Sequence, residues 1–257
     1  MPGHEDQRGV ERGSEPERER EDEMGFLARA PRPGPGVVVV PDVWGLSDLY
    51  RGIARRLAGE GLSALAIDPY RKTGRPRLTD VASALAWIRE LPDPVVLDTI
   101  QDAVDRLAGD PAVAGGKVGI TGFCMGGQYA LLAACACRGL AACVAFYGML
   151  RYEPGLDPGK KPRAPLDALS DLTCPVLGLY GAQDAIIPVA DVRELEARLA
   201  RTGRPFEVRL YEDAGHAFLN DTRPEMYRPA AARDAWPRAV AFLREHLHAH
   251  GGDVPQS

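Results

Sequence analysis

A glycine-rich turn at residues 122–127, Gly-Phe-Cys-Met-Gly-Gly, constrains the fold of this chain more than any other stretch. The short apolar run 117–121 precedes the turn, and a run rich in alanine and leucine, 128–137, follows it. This order indicates a strand, a sharp turn and a helix. The flanking glycines are needed because a tight turn strains the backbone around its central residue. The sequence therefore predicts that Cys124 stands at the end of a strand, where it could act as a nucleophile.

Short apolar runs alternate with helical patterns through the rest of the chain. The run 37–40 consists of valine alone, which indicates a strand buried on both faces, as in a parallel sheet. The other predicted strands are 62–67, 117–121, 141–146, 175–180 and 206–210. Apolar residues recur at helical spacing between and after them. The alternation predicts an α/β fold in three αβα layers, with a mostly parallel, doubly wound sheet and helices on both faces.

Charge divides the chain into a tail and a body. Residues 1–24 contain nine acidic residues and four arginines, a net charge of −5. Removing them from the 36 acidic and 31 basic residues of the chain leaves 27 of each sign. We predict a disordered charged tail over 1–24 (with a short charged helix over 16–24 as the alternative), a linker over 25–36 and the α/β domain over 37–250. A body without net charge gives no indication of binding to nucleic acid or to a membrane.

The composition also argues against several other classes of protein. No apolar run approaches the roughly 18 residues needed to span a membrane, and the charged N-terminus does not resemble a signal peptide. We therefore expect a cytoplasmic protein, either a monomer or a homodimer. The five cysteines are an odd number without CxxC pairs, which favours free thiols over disulfides or zinc. We interpret His246, His248 and His250 as a fraying C-terminal tail rather than a weak metal site, so we predict no metal.

Four polar residues each follow a predicted strand: Asp42, Cys124, Asp184 and His216. Sites in doubly wound sheets form beyond the carboxyl ends of the strands, so these side chains are expected to converge. A cysteine, an aspartate and a histidine in this order match the nucleophile, acid and base of an α/β-hydrolase triad. We interpret Cys124 as the nucleophile, His216 as the base, and Asp184 as the acid that orients His216. Each residue also has a structural alternative when it is taken singly. Cys124 could be a small hydrophobic residue of the core, Asp184 could cap a helix, and His216 could be an ordinary core or surface histidine.

A cysteine nucleophile needs help at neutral pH, because an unperturbed thiol of pKa about 8.5 is only ~3% thiolate at pH 7. An imidazolium and the positive N-terminus of the helix after the turn would both stabilise a thiolate. The charge that develops on the attacked carbonyl oxygen also needs hydrogen-bond donors. The backbone N–H of Met125 is one donor expected from the elbow geometry, and that of Val43 is placed to be the second.

Several segments together resemble the dienelactone hydrolase family. The matching segments are 37–46, the turn 122–127, 146–148 (Phe-Tyr-Gly), 181–184 (Gly-Ala-Gln-Asp) with Pro188, and 214–218 (Ala-Gly-His-Ala-Phe) with Asn220 and Asp221. They extend over most of the chain beyond the tail. The resemblance implies an α/β-hydrolase fold and a cofactor-free hydrolase of enol-lactones or esters. It also implies the roles given above for Cys124, His216, Asp184, Met125 and Val43.

Two positions depart from the family pattern. Family members carry a glutamate after the first strand, which interacts with the thiol in the resting enzyme and helps the substrate to trigger thiolate formation. Here the thiol-activating acid is predicted to be Asp42, which is shorter by one methylene. The best-known members also hold a substrate carboxylate with arginines, one of them shortly after the triad histidine.

In this chain the first arginine after His216 is Arg223, and Arg71 is either a substitute or an ordinary solvated loop arginine. We include Arg71 among the predicted substrate-binding residues. The others are Tyr70, Tyr147 and Phe218.

The sequence thus predicts hydrolysis of a small enol-lactone or carboxylic ester by a Cys–His–Asp triad through a thioester acyl-enzyme. Two alternatives stay open. The chain could be a non-catalytic or redox-sensing protein of the same fold, or it could be a thioesterase or peptidase built on the same scaffold.

Overall fold

A single β-sheet forms the centre of the protein. The computed structural model describes residues 18–247, and its strands are β1 (Glu19–Asp22), β2 (Gly25–Ala28), β3 (Gly34–Val40), β4 (Ser63–Ile67), β5 (Val113–Phe123), β6 (Leu140–Phe146), β7 (Val176–Gly181) and β8 (Phe206–Tyr211). They lie in the order β1-β2-β4-β3-β5-β6-β7-β8. The strands from β4 to β8 in this order run parallel, whereas β1 and β2 are antiparallel additions at one edge. The predicted mostly parallel sheet is confirmed.

From β3 onwards, helices connect successive strands and cover the sheet. They are α1 (Asp48–Gly59), α2 (Val81–Glu90), α3 (Asp93–Ala108), α4 (Met125–Ala136), α5 (Pro165–Ala168), α6 (Val189–Leu199) and α7 (Pro229–Leu247), with a 3₁₀ turn at Leu169–Asp171. Helix α4 contacts β5 and β6, α7 packs on β6, and α1 packs on β4. Between residues 18 and 247, none of the helices is long and apolar enough to cross a membrane. Of the three C-terminal histidines, His246 lies on α7 and the other two lie beyond the described residues.

Strand β3 lies at the point where the order of strands in the sheet reverses. Its four valines, 37–40, have no exposed surface, as expected for a strand buried on both faces. The strand has β4 on one side and β5 on the other, so the chain builds the sheet in opposite directions from here. Val40 of β3 pairs with Gly122 of β5. The loops that follow the two strands therefore begin side by side at the same edge of the sheet. Ligand sites of doubly wound sheets form in the crevice at such a switch point.

The predicted disordered tail, and its helical alternative, are wrong for the part that the structure describes. Residues Glu19–Asp22 form β1, which pairs with β2 at the sheet edge. The acidic side chains that suggested disorder are paired with arginines of α1: Arg55 Nε lies 3.0 Å from Glu19 Oε1, and Arg51 Nε lies 2.9 Å from Glu21 Oε2. A count of charges along the tail could not reveal partners on a later helix. The rest of the predicted tail, residues 1–17, lies outside the described residues.

The predicted linker over 25–36 is also wrong. Gly25–Ala28 forms β2, in which every residue is buried, and β3 already begins at Gly34. Phe26 and Leu27 belong to the hydrophobic core. The prolines and glycines that suggested a linker lie in the connection between two strands and at the start of β3. The folded domain therefore begins before residue 37.

A buried ion pair fastens the long insertion 149–173 to the helices that cover the sheet. Lys161 Nζ lies 2.6 Å from Asp93 Oδ1 on the first turn of α3, and both side chains are only 1% exposed. The hydroxyl groups of Tyr129 and Tyr152 donate to the same carboxylate over 2.9 and 2.6 Å. Burial of a charge is costly unless the charge is paired and hydrogen-bonded, and both conditions hold here. The insertion is therefore an ordered part of the domain.

Replacement of Lys161 by methionine should lower the free energy of unfolding by about 3–5 kcal/mol, because the buried Asp93 carboxylate loses its partner. The neighbouring Lys160 is the matched control, since it pairs with Glu90 at the surface. Lys160→Met should leave the unfolding midpoint close to that of the wild type. Urea denaturation followed by circular dichroism measures both variants, and equal stability of the two would contradict the role given to the buried pair.

Candidate active site

Cys124 sits between β5 and α4 on a turn that needs glycine at its neighbours. Its own backbone is in the left-handed region, with φ 56° and ψ −117°. A Cβ atom at Gly122 would lie 1.9 Å from the carbonyl oxygen of Gly126, and one at Gly126 would lie 2.0 Å from that of Val40. Real Cβ atoms essentially never come so close to backbone, so both positions require glycine. The turn leaves Cys124 half-buried at a cavity, whereas the other four cysteines are buried.

The Asp184 carboxylate, which follows β7, holds the imidazole of His216. Asp184 Oδ2 lies 2.8 Å from His216 Nδ1, and the Asp184 side chain has no exposed surface. Asp184 Oδ1 accepts hydrogen bonds from the backbone N–H groups of Ile186 and Ile187, over 2.8 and 3.1 Å. Because both oxygens are engaged, the carboxylate is fixed. It orients the imidazole and favours a proton on Nδ1.

His216 shares the cavity with Cys124. Burial disfavours the imidazolium, but the nearby Cys124 sulfur and the hydrogen bond to Asp184 outweigh burial and raise the pKa of His216 from 6.5 to about 10. The Nε2 atom is buried, and within residues 18–247 no hydrogen bond of standard geometry reaches it. This nitrogen is therefore available for proton exchange with Cys124 or with a reactant.

Strained backbone surrounds the cavity. Cys124, Tyr147 and Ala217 have φ angles of 56°, 38° and 56°, and no other non-glycine residue in the described part of the chain has a positive φ. Such conformations cost of order 1–3 kcal/mol each and cluster at functional sites. Tyr147 also packs against His216, with ring centroids 5.3 Å apart, and against Phe218 at 5.2 Å. Strain and aromatic contacts together make this end of the sheet the candidate functional site.

The backbone amides of Val43 and Met125, predicted to hold an oxyanion, belong to adjacent loops. Val43 follows β3, and Met125 is the first residue of α4. Within residues 18–247, neither amide donates a hydrogen bond to another backbone group. Tyr70 ties the two loops together, because its hydroxyl donates to the Val43 carbonyl oxygen over 2.6 Å and lies 3.6 Å from the Met125 sulfur. The two N–H groups are thus held in place and can bind a developing negative charge.

Asp42 lies at the cavity, but its carboxylate is bound by groups other than Cys124. Its Oδ1 accepts a hydrogen bond from the backbone N–H of Trp44 over 3.0 Å. Burial raises the pKa of the Asp42 carboxyl above its ordinary value, and a hydrogen bond from the Tyr50 hydroxyl opposes that rise. Among the described residues, Asp42 forms these contacts and no hydrogen bond to Cys124. Asp42 and Cys124 line the same cavity, and the thiol-activating role of Asp42 stays a prediction.

The cavity that contains Cys124 has a volume of about 80 Å³. Asp42 and His216 also line it, and Asn220 and Arg223 add further polar groups. Much of the remaining lining is apolar and includes Trp44, Val81, Ala84, Leu85, Ile88 and Met226. A cavity with apolar walls and a few polar groups suits a small organic substrate.

Of the predicted substrate-binding side chains, Tyr147 is the one that lines this cavity. Tyr70 and Phe218 are buried behind its surface, with 1% and 0% exposure. Arg71 lies outside the lining, because its guanidinium is paired with Asp102 on α3 at 3.3 Å. Tyr70, Arg71 and Phe218 thus lie outside the lining of this cavity, and a contact of these three residues with the substrate stays a prediction.

Arg223 takes the position expected for Arg71. It lines the cavity, and its guanidinium carbon lies 5.3 Å from the ring centroid of Trp44. Burial raises the pKa of Asp42, and the charge of Arg223 opposes that rise. A signal for this residue was present in the sequence, since Arg223 follows His216 closely on the same loop.

The parallel sheet, the strained turn and the Asp–His pair at the carboxyl ends of its strands define an α/β-hydrolase. The model of the dienelactone hydrolase family matches residues 24–247 of the chain. The chain therefore belongs to the dienelactone hydrolase family and is a hydrolase of that family.

Named relatives are similar along most of the chain. A Bradyrhizobium protein described as a probable 2-oxo-3-(5-oxofuran-2-ylidene)propanoate lactonase is 35% identical, over 88% of this chain and 91% of that one. The carboxymethylenebutenolidase of Rhodococcus opacus is 33% identical, over 83% of this chain and 82% of that protein. A crystal structure from Klebsiella pneumoniae, assigned as a dienelactone hydrolase, has a TM-score of 0.75 at 34% identity and covers 86% of this chain and 92% of the other.

The imidazolium of His216 should persist well above neutral pH. NMR titration of isotope-labelled wild-type protein should give a pKa of about 10. Cys124→Ala should lower this value, because the sulfur is the largest contribution that favours the charged form. Cys135→Ala, which removes a buried thiol of α4, is the control and should leave the pKa unchanged.

The raised pKa of His216 also makes the stability of the folded protein depend on pH. Because the folded pKa lies above 6.5, the charged histidine stabilises the folded state fully below pH 6.5, and this contribution is lost as the pH rises to about 10. If the pKa of His216 in the wild type is near 6.5 and Cys124→Ala does not change it, the idea that Cys124 and His216 form a thiolate–imidazolium pair is contradicted.

Proposed function

We propose that this chain hydrolyses small enol-lactones or carboxylic esters with a Cys–His–Asp triad, through a thioester acyl-enzyme. The observation that carries the proposal is the buried Asp184–His216 pair at the cavity that also holds Cys124 on its strained turn. A cysteine beside an imidazolium, with backbone N–H groups nearby, is an arrangement suited to acyl transfer. Membership of a hydrolytic family supports the same class of reaction.

The first half of the proposed reaction forms the thioester. The Cys124 thiolate attacks the carbonyl carbon, and the resulting oxyanion accepts hydrogen bonds from the N–H groups of Met125 and Val43. As the tetrahedral intermediate collapses, the C–O bond to the leaving group breaks and the His216 imidazolium gives its proton to the departing oxygen. An ester releases an alcohol, whereas a lactone opens its ring. An enol-lactone thereby yields an enol, which isomerises to a ketone.

Water completes the proposed reaction. The neutral imidazole of His216 removes a proton from a water molecule that attacks the thioester carbonyl. The second tetrahedral intermediate expels Cys124 as a thiolate, and the product leaves as a carboxylic acid. Asp184 accepts no proton, because its role is to hold the Nδ1 proton in place and to stabilise the imidazolium. The cycle ends with the thiolate–imidazolium pair restored.

The substrate that fits this cavity best carries a carboxylate. Arg223 and Asn220 supply hydrogen-bond donors at the cavity, and an arginine binds a carboxylate through two parallel hydrogen bonds. The mainly apolar remainder of the lining suits a lactone ring. The Bradyrhizobium relative is named for a lactone that bears a propanoate group, which agrees with this choice.

Replacement of Cys124 by alanine should abolish turnover of dienelactone and p-nitrophenyl acetate, because the attacking atom is lost. We expect kcat to fall by about 10⁴-fold or more. Cys135→Ala is the matched control and should keep wild-type turnover, since Cys135 is buried in α4 and does not line the cavity. Steady-state kinetics measure the effect, and circular dichroism establishes that both variants are folded.

The same kinetics distinguish the alternatives. Undiminished turnover by folded Cys124→Ala would rule out Cys124 as the nucleophile. A wild-type thiol that reacts with iodoacetamide while the protein hydrolyses no ester would favour the redox-sensing alternative. A clear preference for thioesters or peptides over lactones would favour a thioesterase or peptidase on this scaffold.

Replacement of Arg223 by glutamine should raise the KM for dienelactone, which carries a carboxylate, by about tenfold or more. The KM for p-nitrophenyl acetate should change little, because this ester has no carboxylate for Arg223 to bind. Arg71→Gln is the matched control, since Arg71 is paired with Asp102 outside the cavity. Equal effects of the two substitutions on both substrates, measured by steady-state kinetics, would contradict the role given to Arg223.

A further inference from the structure

Helix α2 borders a second cavity beside the one that holds Cys124. The second cavity has a volume of about 60 Å³ and lies between α2 and the insertion that follows β6. Its apolar lining consists of Leu85, Ile88, Met149 and Leu156. It contains no residue of the proposed triad, so the proposed reaction leaves it unexplained.

The two cavities are neighbours along the same helix. Leu85 and Ile88 line both of them, whereas Val81, nearer the N-terminus of α2, lines only the first. The chain that leaves β6 follows the same order, because Tyr147 lines the first cavity and Met149 lines the second. The side chains of Leu85 and Ile88 therefore form the partition between the two spaces.

The second cavity is balanced in charge. Its cations are each paired with a carboxylate: Lys161 with Asp93, Arg89 with Glu153, and Arg151 with Asp191. A charged ligand would have to displace one of these partners, which is costly for the pair that is buried. An uncharged hydrocarbon segment would leave the pairs intact and would gain from contact with the apolar walls. The chemistry of the lining thus favours an uncharged alkyl chain.

We propose that Leu85 limits the length of the acyl chain of an uncharged ester, because it closes the first cavity towards the second, which has the lining to hold a longer chain. The inference rests on the proposed function, because the acyl group must be attached to Cys124 for its chain to enter from the first cavity. Of the two side chains in the partition, Leu85 is half-buried, whereas Ile88 is 4% exposed and packed in the core. We therefore assign control of entry into the second cavity to Leu85. Truncation of Leu85 to alanine would join the two spaces, and alanine is also the residue that best preserves a helix.

The test compares p-nitrophenyl acetate with p-nitrophenyl hexanoate, which differ only in the length of the acyl chain. In Leu85→Ala, the ratio of kcat/KM for hexanoate to that for acetate should rise by about tenfold or more, because added methylenes gain contacts in the joined cavity. Leu78→Ala is the matched control. It removes the same atoms from a half-buried leucine that precedes α2 and lines neither cavity, so the ratio should stay at the wild-type value.

A second substitution locates the gain. Met149→Trp in the Leu85→Ala background should return the ratio toward the wild-type value, because the larger side chain fills the second cavity. Should Leu85→Ala fail to fold, Leu85→Val supplies a smaller truncation that should give a smaller rise in the same ratio. An unchanged ratio in a folded Leu85 variant would overturn the proposal, as would a gain that Met149→Trp leaves in place. Failure of the proposed function gives a different result, because the wild type would then hydrolyse neither ester.

Discussion

The close backbone contact between the turn at Cys124 and its neighbouring strands is the constraint on which the rest of the site depends. A Cβ atom at Gly126 would lie 2.0 Å from the carbonyl oxygen of Val40, and one at Gly127 would lie 2.4 Å from that of Phe146. These contacts seat the first turn of α4 between the ends of β3 and β6. They hold the Met125 N–H beside the loop that follows β3. A larger residue at either glycine would displace α4 and separate Cys124 from the loops that share its cavity.

Much of this arrangement could be predicted because it depends on local patterns. The valine run 37–40 identifies a strand buried on both faces, and Cys124, Asp184 and His216 each follow a strand in the order of a triad. The edge hairpin could not be predicted in the same way. Residues 19–22 read as a solvated charged segment, and the arginines that neutralise them lie on α1. Local composition describes a segment well only where its partners are also local.

The substrate side of the site was harder to predict, since loop direction and side-chain packing decide it. The sequence predicted Arg71 rather than Arg223 at the substrate, but of the two Arg223 lines the cavity, whereas Asp102 engages Arg71. Asp42 likewise follows β3 as expected, yet its carboxylate binds the N–H of Trp44 in its own loop. The Cys124 sulfur in turn acts on His216, whose pKa it raises against the effect of burial. Helix α2 and the loop after His216 both line the cavity, which is the basis for proposing that they select the substrate.

The identity of the covalent intermediate tests this account most directly. Wild-type protein should be mixed with p-nitrophenyl acetate and quenched in acid during turnover, and the intact protein and its peptides should then be analysed by mass spectrometry. The account predicts one acetyl group per chain, carried by the peptide that contains Cys124. Turnover without any acylated Cys124, or an acetyl group on a different residue that forms and decays at the rate of turnover, would contradict it.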